Sequence, residues 1–347
     1  MTRVFTKFAA MIENVFDLQM MARALQLARR GYGFTSPNPM VGAVVTDSFG
    51  HIIGEGWHRV WGGPHAEVNA IASVRDKSLL PSSTVYVTLE PCSHYGKTPP
   101  CAKLLVDSGV KRVVIGCPDP FEQVRGRGTA MLRHAGIEVT EGVLRAECEA
   151  LNNKFIYAHT RKRPYVMLKW AQSADGFMAG EGGVPATLSN PVSRVFMHRE
   201  RAGFDAIMVG TGTLLTDNPV LTCRLWPSRQ LRPVVYDPKG HVPSDSRVLQ
   251  HPDAIVIRDA MPLAALLHLL YAEHGVTSLM VEGGGRLLNS FLKEKLWQRI
   301  RVEVSPIRLG SGVEAPSWPF AASCKPTVCG GNRIYLHSSA ESSPNQG

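Results

Sequence analysis

Two short stretches decide how the first half of the chain folds: GGPHAE at residues 62–67 and PCSHYGKTPPC at residues 91–101. The first opens a predicted helix, and the second follows a predicted strand. In an open α/β sheet the carboxyl ends of strands and the amino ends of the following helices lie along one edge, where ligands bind. Four side chains are therefore predicted to share that edge: His65, Glu67, Cys92 and Cys101.

These residue types suit a zinc ion that keeps one coordination position open. An imidazole from His65 and thiolates from Cys92 and Cys101 supply three protein ligands, the set that zinc deaminases need. Glu67 is predicted to be the catalytic acid and base, while zinc makes hydroxide available to attack an amidine-like carbon. The alternative is a closed structural site, for which His94 is the nearest candidate fourth ligand.

The segments around these stretches alternate between strand and helix patterns. This order predicts a largely parallel sheet with helices on both faces. The strands predicted in the first half are 40–46, 52–57, 85–89, 112–116 and 137–140, and the helices are 17–30, 65–74, 102–108, 127–134 and 144–158. A second α/β pattern has predicted strands at 166–172, 206–210, 234–236, 278–281 and 300–304, and helices at 191–201, 263–274 and 286–294.

Length and composition narrow the class of protein. A chain of 347 residues predicts two domains of ordinary size. The net charge of +9 suits an anionic ligand, and phosphorylated small molecules account for it as well as nucleic acid does. Seven cysteines, an odd number spread along the chain, indicate a reducing compartment, so the cytoplasm is the expected location. Since no apolar run reaches membrane-spanning length, no membrane partner is expected.

The long spacer between the two cysteines resembles the deaminase domain of the bifunctional riboflavin-biosynthesis deaminase/reductases. The resemblance extends from about residue 16 to residue 337. In the first half it is carried by PNPMVG at 37–42, TLE at 88–90, DP at 119–120 and GRG at 126–128. In the second half it is carried by KWAQSADG at 169–176, GTGT at 210–213, DNP at 217–219 and VEGG at 281–284.

The resemblance implies an α/β chain with a cytidine-deaminase-like three-layer domain followed by a dihydrofolate-reductase-like domain. The expected divisions are an N-terminal extension over 1–15, the deaminase domain over 16–146, a linker over 147–164, the reductase domain over 165–337 and a disordered tail over 338–347.

The implied first reaction is hydrolytic deamination of a diaminopyrimidinone that carries a ribose 5-phosphate. By resemblance, Asn38 holds the ring, and His94 and Lys97 lie where the family contacts its substrate. The family usually has Asn-Pro after the Asp-Pro pair, whereas this chain has Phe121-Glu122.

The implied second reaction is reduction of the ribosyl group to ribityl by NADPH. Two strand-to-glycine junctions, at 210–213 and 282–285, favour a phosphate-bearing ligand. The implied cofactor contacts are Ala171, Thr213, Asp217, Gly284, Gly285, Arg286, Leu287, Leu288 and Asn289, and the implied substrate contacts are Lys169, Arg201, Leu221, Arg224 and Glu282. The segment GGVPATLS at 182–189 lacks the Ser and the Trp-Ile-Thr common in the family.

Two other functions are compatible with parts of the sequence. A tRNA-type deaminase with a non-catalytic second domain would use the same zinc motif, but the chain has no basic stripe interleaved with aromatic residues, so nucleic acid is not an expected partner. A non-enzymatic regulatory protein is the other alternative. The residues leave open the choice between NADPH and NADH, and a homo-oligomer is compatible with the sequence without being required by it.

Overall fold

The structure is a computed structural model that describes residues 2–94, 99–121, 125–318 and 324–340, with only the backbone described for residues 2–13. The chain forms two compact units, Met1–Thr160 and Arg161–Gly347. Among the described residues, no helix combines the length and the apolar character needed to cross a membrane.

The first unit contains a five-stranded mixed sheet. Its helices are α1 Thr2–Ala28, α2 Ala66–Ser73, α3 Cys101–Asp107, α4 Arg127–His134, α5 Arg145–Leu151 and α6 Asn153–Arg161. Its strands are β1 Gly42–Thr46, β2 Ile52–Trp57, β3 Thr84–Leu89, β4 Arg112–Cys117 and β5 Glu138–Glu141. The strand order is β2-β1-β3-β4-β5. Because β1 runs antiparallel to both β2 and β3, only the β3-β4-β5 half is the parallel sheet that the sequence predicts.

Helices cover both faces of this sheet. On one face, side chains of α2, α3 and α4 pack on the strands in one apolar cluster. On the other face, α1 and α5 form a second cluster. The packing is close at Gly42, where an added Cβ would lie 2.0 Å from the carbonyl oxygen of Ala24. Burial on both faces explains why the three central strands, β1, β3 and β4, are largely apolar.

Two helical segments differ from the sequence predictions. The first helix starts at Thr2 rather than at Asp17, so the predicted N-terminal extension continues helix α1. The helix predicted over 144–158, which covers most of the expected linker over 147–164, is present as two helices, α5 and α6, separated at Asn152. The Asn152 amide bonds the backbone of Met40 in both directions, which ties this segment to the first unit.

The second unit contains an eight-stranded sheet and a small two-stranded one. Its helices are α7 Pro191–Ala202, α8 Thr211–Asp217, α9 Leu263–Ala272 and α10 Gly285–Lys293. Its strands are β6 Tyr165–Gln172, β7 Phe177–Ala179, β8 Ala206–Gly210, β9 Arg232–Tyr236, β10 Ile255–Ile257, β11 Ser278–Glu282, β12 Arg299–Val304, β13 Val313–Glu314, β14 Thr327–Cys329 and β15 Asn332–Ser338. Short 3₁₀ turns lie in both units, at Arg29–Gly31, Lys77–Ser82, Glu181–Gly183 and Arg247–Gln250.

The large sheet has the order β10-β9-β8-β11-β6-β12-β15-β14. From β10 to β12 neighbouring strands are parallel, and β15 is antiparallel to both β12 and β14. Strands β7, β10, β13, β14 and β15 and helix α8 are additions to the predicted elements. The carboxyl ends of β6, β8 and β11 lie side by side and carry the residues of the second site.

Candidate active sites

The three predicted zinc ligands lie together in the first unit. His65 immediately precedes α2, Cys101 is the first residue of α3, and Cys92 follows β3. The Nδ1 atom of His65 is 3.6 Å from Sγ of Cys92 and 3.3 Å from Sγ of Cys101. In the described part of the chain, no other cluster of three or more potential metal ligands occurs.

The geometry of this cluster fits a tetrahedral zinc ion. Zinc lies about 2.3 Å from sulfur and about 2.0 Å from nitrogen, so tetrahedral angles place the two ligand atoms about 3.5 Å apart. Both nitrogen-to-sulfur distances are close to this value. His94, the candidate fourth ligand, is exposed and is not part of the cluster. The three protein ligands thus leave one position open, as a catalytic site requires.

The pKa values of the two thiol groups shift in opposite directions. A hydrogen bond from Cys101 lowers the pKa of Cys92 to about 4, and His65 adds to this effect. The same bond, together with burial, raises the pKa of Cys101. Cys92 therefore loses its proton more readily than Cys101, and a bound divalent cation would favour the thiolate form of both.

Glu67 is the second residue of α2, two positions after His65, and is only 3% exposed. Burial raises the pKa of its carboxyl group to about 7, although the charge of His65 opposes the shift. A carboxyl group that titrates near neutrality can both accept and release a proton during turnover. The position and the pKa of Glu67 both suit the predicted acid–base role.

A cavity of about 320 Å³ opens in front of this cluster. Of the predicted substrate contacts, Asn38 and His94 line it, whereas Lys97 lies outside the described residues. Phe121, which stands where the family has asparagine, also lines the cavity, and its ring meets that of His159 edge-on at 5.7 Å. A ring therefore forms the wall at this position instead of an amide.

His58 is a cavity residue that the sequence reasoning missed. Its Nδ1 atom lies 3.0 Å from the carbonyl oxygen of Pro64, which can only accept, so Nδ1 carries the proton. Burial lowers the pKa of His58, which keeps the ring neutral and leaves Nε2 as an acceptor. The amide nitrogen of Asn38 lies 3.4 Å from Nε2, so its oxygen is the atom left for a ligand. The only sequence signal was a histidine directly after a strand.

Glu90 is a second residue that the sequence reasoning missed, and it holds the backbone next to the zinc cluster. Its carboxylate is 4% exposed and accepts hydrogen bonds from three backbone N–H groups, those of Asp119 at 3.3 Å, Gly126 at 3.0 Å and Thr129 at 3.2 Å. It adjoins Pro91, whose carbonyl oxygen would lie 2.0 Å from a Cβ added to Gly128. Glu90 thus fixes the segment that carries Asp119 against the turn that presents the zinc ligands.

The second unit has two adjacent cavities at the carboxyl ends of its parallel strands. The opening next to the glycine junctions has a volume of about 520 Å³. It is lined by these predicted residues: Lys169, Ala171, Arg201, Thr213, Asp217, Leu221, Glu282, Gly284 and Gly285. The atypical segment over 182–189 contributes to the same lining. Most of the predicted cofactor and substrate residues therefore line one cavity.

The remaining predicted cofactor residues lie along α10. Helix α10 begins at Gly285, and the N–H of Gly284 donates to Oγ1 of Thr213 at 2.8 Å. Leu288 is fully buried in the apolar core, so its side chain is turned away from solvent. The helix start is the part of this segment that faces the cavity, and helix starts suit phosphate groups.

A neighbouring cavity of about 700 Å³ is rich in cations. Of the predicted substrate contacts, Lys169, Arg201 and Arg224 line it, together with Arg194 and Arg247. Burial lowers the pKa of His198, which also lines this cavity, to about 4, and the charges of Arg201 and Arg224 add to the shift. The field here is positive and suits an anionic group.

A buried charge cluster lies between the two cavities. The guanidinium of Arg201 donates from Nε and Nη2 to the two carboxylate oxygens of Glu282, both at 2.7 Å, and from Nη1 to the carbonyl oxygen of Thr222 at 3.2 Å. Burial opposes ionisation of Glu282, but Arg201 and Lys169 together lower its pKa to about 2. Burial also lowers the pKa of Lys169, whose Nζ lies 3.8 Å from Glu282. The guanidinium N–H groups of Arg201 are thus already hydrogen-bonded to Glu282 and Thr222.

Comparison with known proteins connects these two sites to known families. Residues 15–117 match the cytidine and deoxycytidylate deaminase zinc-binding region, and residues 164–319 match the RibD C-terminal domain. The chain is 41% identical over 324 residues to the riboflavin biosynthesis protein RibD of Bacillus amyloliquefaciens, covering 86% of each chain. It is 39% identical over 320 residues to RibD of Aquifex aeolicus, covering 86% of this chain and 89% of the relative.

Solved structures give the same result. RibD of Acinetobacter baumannii superposes with a TM-score of 0.85 at 32% identity, over 93% of this chain and 99% of that one. A diaminohydroxyphosphoribosylaminopyrimidine deaminase/5-amino-6-(5-phosphoribosylamino)uracil reductase from Thermotoga maritima gives 0.82 at 35% identity, over 94% and 100%. The predicted fold class, a deaminase-like domain followed by a reductase-like domain, is confirmed.

Proposed function

The chain belongs to the RibD family of riboflavin-biosynthesis deaminase/reductases, and from this premise we propose how its residues carry out the two reactions. The protein joins a zinc-dependent deaminase to an NADPH-dependent reductase. The proposed substrate is a diaminopyrimidinone with a ribosylamino 5′-phosphate. The first unit replaces its ring 2-amino group with oxygen, and the second converts its ribosyl group to ribityl.

One observation supports the deaminase assignment most directly: a buried glutamate lies beside a three-ligand zinc cluster. Zinc, when bound, acts as a Lewis acid and lowers the pKa of a water molecule at the open position. Glu67 accepts one proton from the attacking water and delivers it to the ring nitrogen. It then moves the second proton, from the hydroxyl group newly attached to the ring carbon, to the departing amino group. Water is consumed and ammonia is released. Asn38, oriented by His58, presents its amide oxygen to an N–H group of the ring.

In the second unit, some residues are assigned to binding phosphate groups and others to the buried charge cluster that faces the substrate. NADPH, when bound, supplies the hydride that reaches C1′ of the ring-opened sugar imine. The start of α10 and Thr213 are assigned to cofactor phosphate. Arg224, which has no carboxylate partner among the described residues, is assigned to the substrate phosphate. Arg201 is assigned to fixing Glu282, beside which Lys169 faces the substrate.

The enzyme is further proposed to work in the cytoplasm on small molecules rather than on nucleic acid. All seven cysteines are unpaired, which supports a reducing compartment. Because both units match the two enzyme domains of the family, a nucleic-acid deaminase with an idle second domain is not favoured.

The deciding experiment uses Glu67→Gln in the full chain. We expect the variant to keep one zinc per chain and to lose at least about 100-fold in deamination rate, because general acid–base catalysis contributes about 10²–10⁴-fold. Its oxidation of NADPH with the already deaminated substrate should match the wild type, which serves as the folding control. Deamination at more than a tenth of the wild-type rate, or turnover of RNA by the wild type in preference to the pyrimidine nucleotide, would refute the assignment.

A further inference from the structure

Strand β12 carries two charged residues that are buried inside the second unit. Arg301 is 4% exposed and Glu303 is completely buried. Nη1 of Arg301 lies 3.6 Å from Oε2 of Glu303, and in the described structure neither atom has a hydrogen-bond partner. A buried ion pair with such loose geometry contributes little to stability, because desolvation offsets the attraction. This pair therefore calls for another explanation than stability.

The pair lies next to the charge cluster between the cavities. In the sheet, Arg301 is in register with Lys169 of β6, and Lys169 is in register with Glu282 of β11. Residues in register on adjacent strands project from the same face, as do residues two apart on one strand. Glu303 therefore shares the face of Lys169, and its charge acts on that lysine.

Two hydrogen bonds fix the carboxylate of Glu303 on this face of the sheet. Its Oε1 atom accepts a hydrogen bond from Oγ of Ser193 in α7 at 2.6 Å and one from Nδ2 of Asn332 in β15 at 2.5 Å. The second oxygen, Oε2, has no such partner and is the one that faces Arg301. A fixed carboxylate with one unsatisfied oxygen is a strong binding site for a nearby ammonium group.

Two buried carboxylates thus share the face of Lys169, and each is matched with an arginine. Glu282 is matched with Arg201, and Glu303 with Arg301. The ammonium of Lys169 keeps only a long contact of 3.8 Å to Glu282 and lines both cavities. The charges that face Lys169 are therefore Arg201 from α7, Glu282 from β11, and Arg301 and Glu303 from β12, with His198 of α7 nearby.

We propose that Arg301 is a positioning residue for the reductase: by occupying Glu303, it prevents that carboxylate from capturing the Lys169 ammonium, which stays directed at the substrate. The three cations exceed the two carboxylates by one charge, and Lys169 carries this excess into the cavity where an anionic substrate would bind. The inference rests on the proposed reductase function, in which Lys169 faces the substrate.

Two substitutions that break the same ion pair separate this role from a structural one. Arg301→Met leaves Glu303 charged and free, whereas Glu303→Gln removes the competing charge and keeps an acceptor for Ser193 and Asn332. We expect Arg301→Met to lower kcat of NADPH oxidation at least about 10-fold with little change in KM for NADPH, since no cofactor contact is altered. We expect Glu303→Gln and the double variant to stay within about 3-fold of the wild type.

The controls use the same strand and the other unit. Arg299→Met removes a cation that pairs with Glu200 of α7 at 3.5 Å but is in register with Met167, so its reductase rate should be unchanged. Deamination should be equal in all variants. Equal losses in Arg301→Met and Glu303→Gln, or a double variant as slow as Arg301→Met, would show that the pair only fastens the fold.

A crystal structure of Arg301→Met gives a readout that does not depend on activity. Nζ of Lys169 should lie within about 3.2 Å of a Glu303 carboxylate oxygen. Lys169 unmoved would overturn the inference. If the wild type does not oxidise NADPH, the proposed function fails, while this displacement still tests the positioning role. If Arg301→Met does not fold, Glu303→Gln decides between the two roles. A purely structural role of the ion pair predicts slow NADPH oxidation by Glu303→Gln, whereas the positioning role predicts a rate close to that of the wild type.

Discussion

Replacing Glu90 by glutamine should loosen the deaminase cavity without removing a zinc ligand. The carboxylate accepts three backbone hydrogen bonds, two at Oε2 and one at Oε1. In the variant, one oxygen becomes an NH₂ group, which cannot accept. If the amide oxygen takes the Oε2 position, it keeps the hydrogen bonds from Asp119 and Gly126. The new NH₂ group then faces the backbone N–H of Thr129, and neither of these donors has an acceptor.

The expected cost follows from that geometry. One hydrogen bond to a charged group is worth about 1.5–3 kcal/mol, and Glu90 is buried, so solvent does not replace it. The free energy of unfolding of the first unit should fall by about 2–3 kcal/mol. For a unit of this size, that corresponds to a lower melting temperature by roughly 4–12 °C. Because Asp119 lines the cavity, KM for the pyrimidine should rise as well.

Calorimetry of the full chain, zinc analysis and deamination kinetics check this together. The matched control is Glu147→Gln, an exposed glutamate of the same unit, which should melt like the wild type. If Glu90→Gln melts within about 1 °C of this control and has an unchanged KM, the carboxylate does not hold the cavity segment. Loss of zinc at full stability would contradict the reasoning in a different way, by placing Glu90 among the groups that retain the metal.

Two further substitutions test the close contacts. Gly128→Ala should reduce bound zinc and lower deamination at least about 10-fold, because the added Cβ would lie 2.0 Å from the carbonyl oxygen of Pro91 and displace the turn before Cys92; metal analysis checks this, with NADPH oxidation as the control. Glu282→Gln should lower the melting temperature of the second unit at pH 7. Since the folded-state pKa of Glu282 is about 2, below its ordinary value, the wild-type advantage should shrink as the pH falls from about 4.5 towards 2, and a constant difference would refute the pairing with Arg201.

The zinc cluster could be predicted from sequence because its signals are local. Each ligand lies at a junction between a strand and a helix, and such junctions are marked by motifs of a few residues. His65, Cys92 and Cys101 therefore lie where the sequence places them. The partner of Glu90 could not be predicted in this way, because its three donors are backbone groups that any sequence would supply.

The charge cluster of the second unit shows a different limit. Arg201 and Glu282 are 81 residues apart, and Ser193 and Glu303 are 110 apart. In β12 charged residues alternate with apolar ones, a pattern typical of a strand with one face in water. The structure buries both faces, because α7 contributes Ser193 to the same row as Glu303. No local pattern distinguishes a solvated charged face from one covered by a helix.

The two units also differ in what a single substitution can reveal. In the first, Glu90 is held by backbone donors, so changing it removes one charge and leaves none unmatched. In the second, Glu282 and Glu303 are matched by arginines, so removing either arginine leaves a buried carboxylate that must find another partner. Lys169 is the nearest group able to respond in both cases, since it lies in register between Glu282 and Arg301. An arginine substitution in the reductase should therefore be compared with a substitution of the matching glutamate, whereas single substitutions suffice in the deaminase.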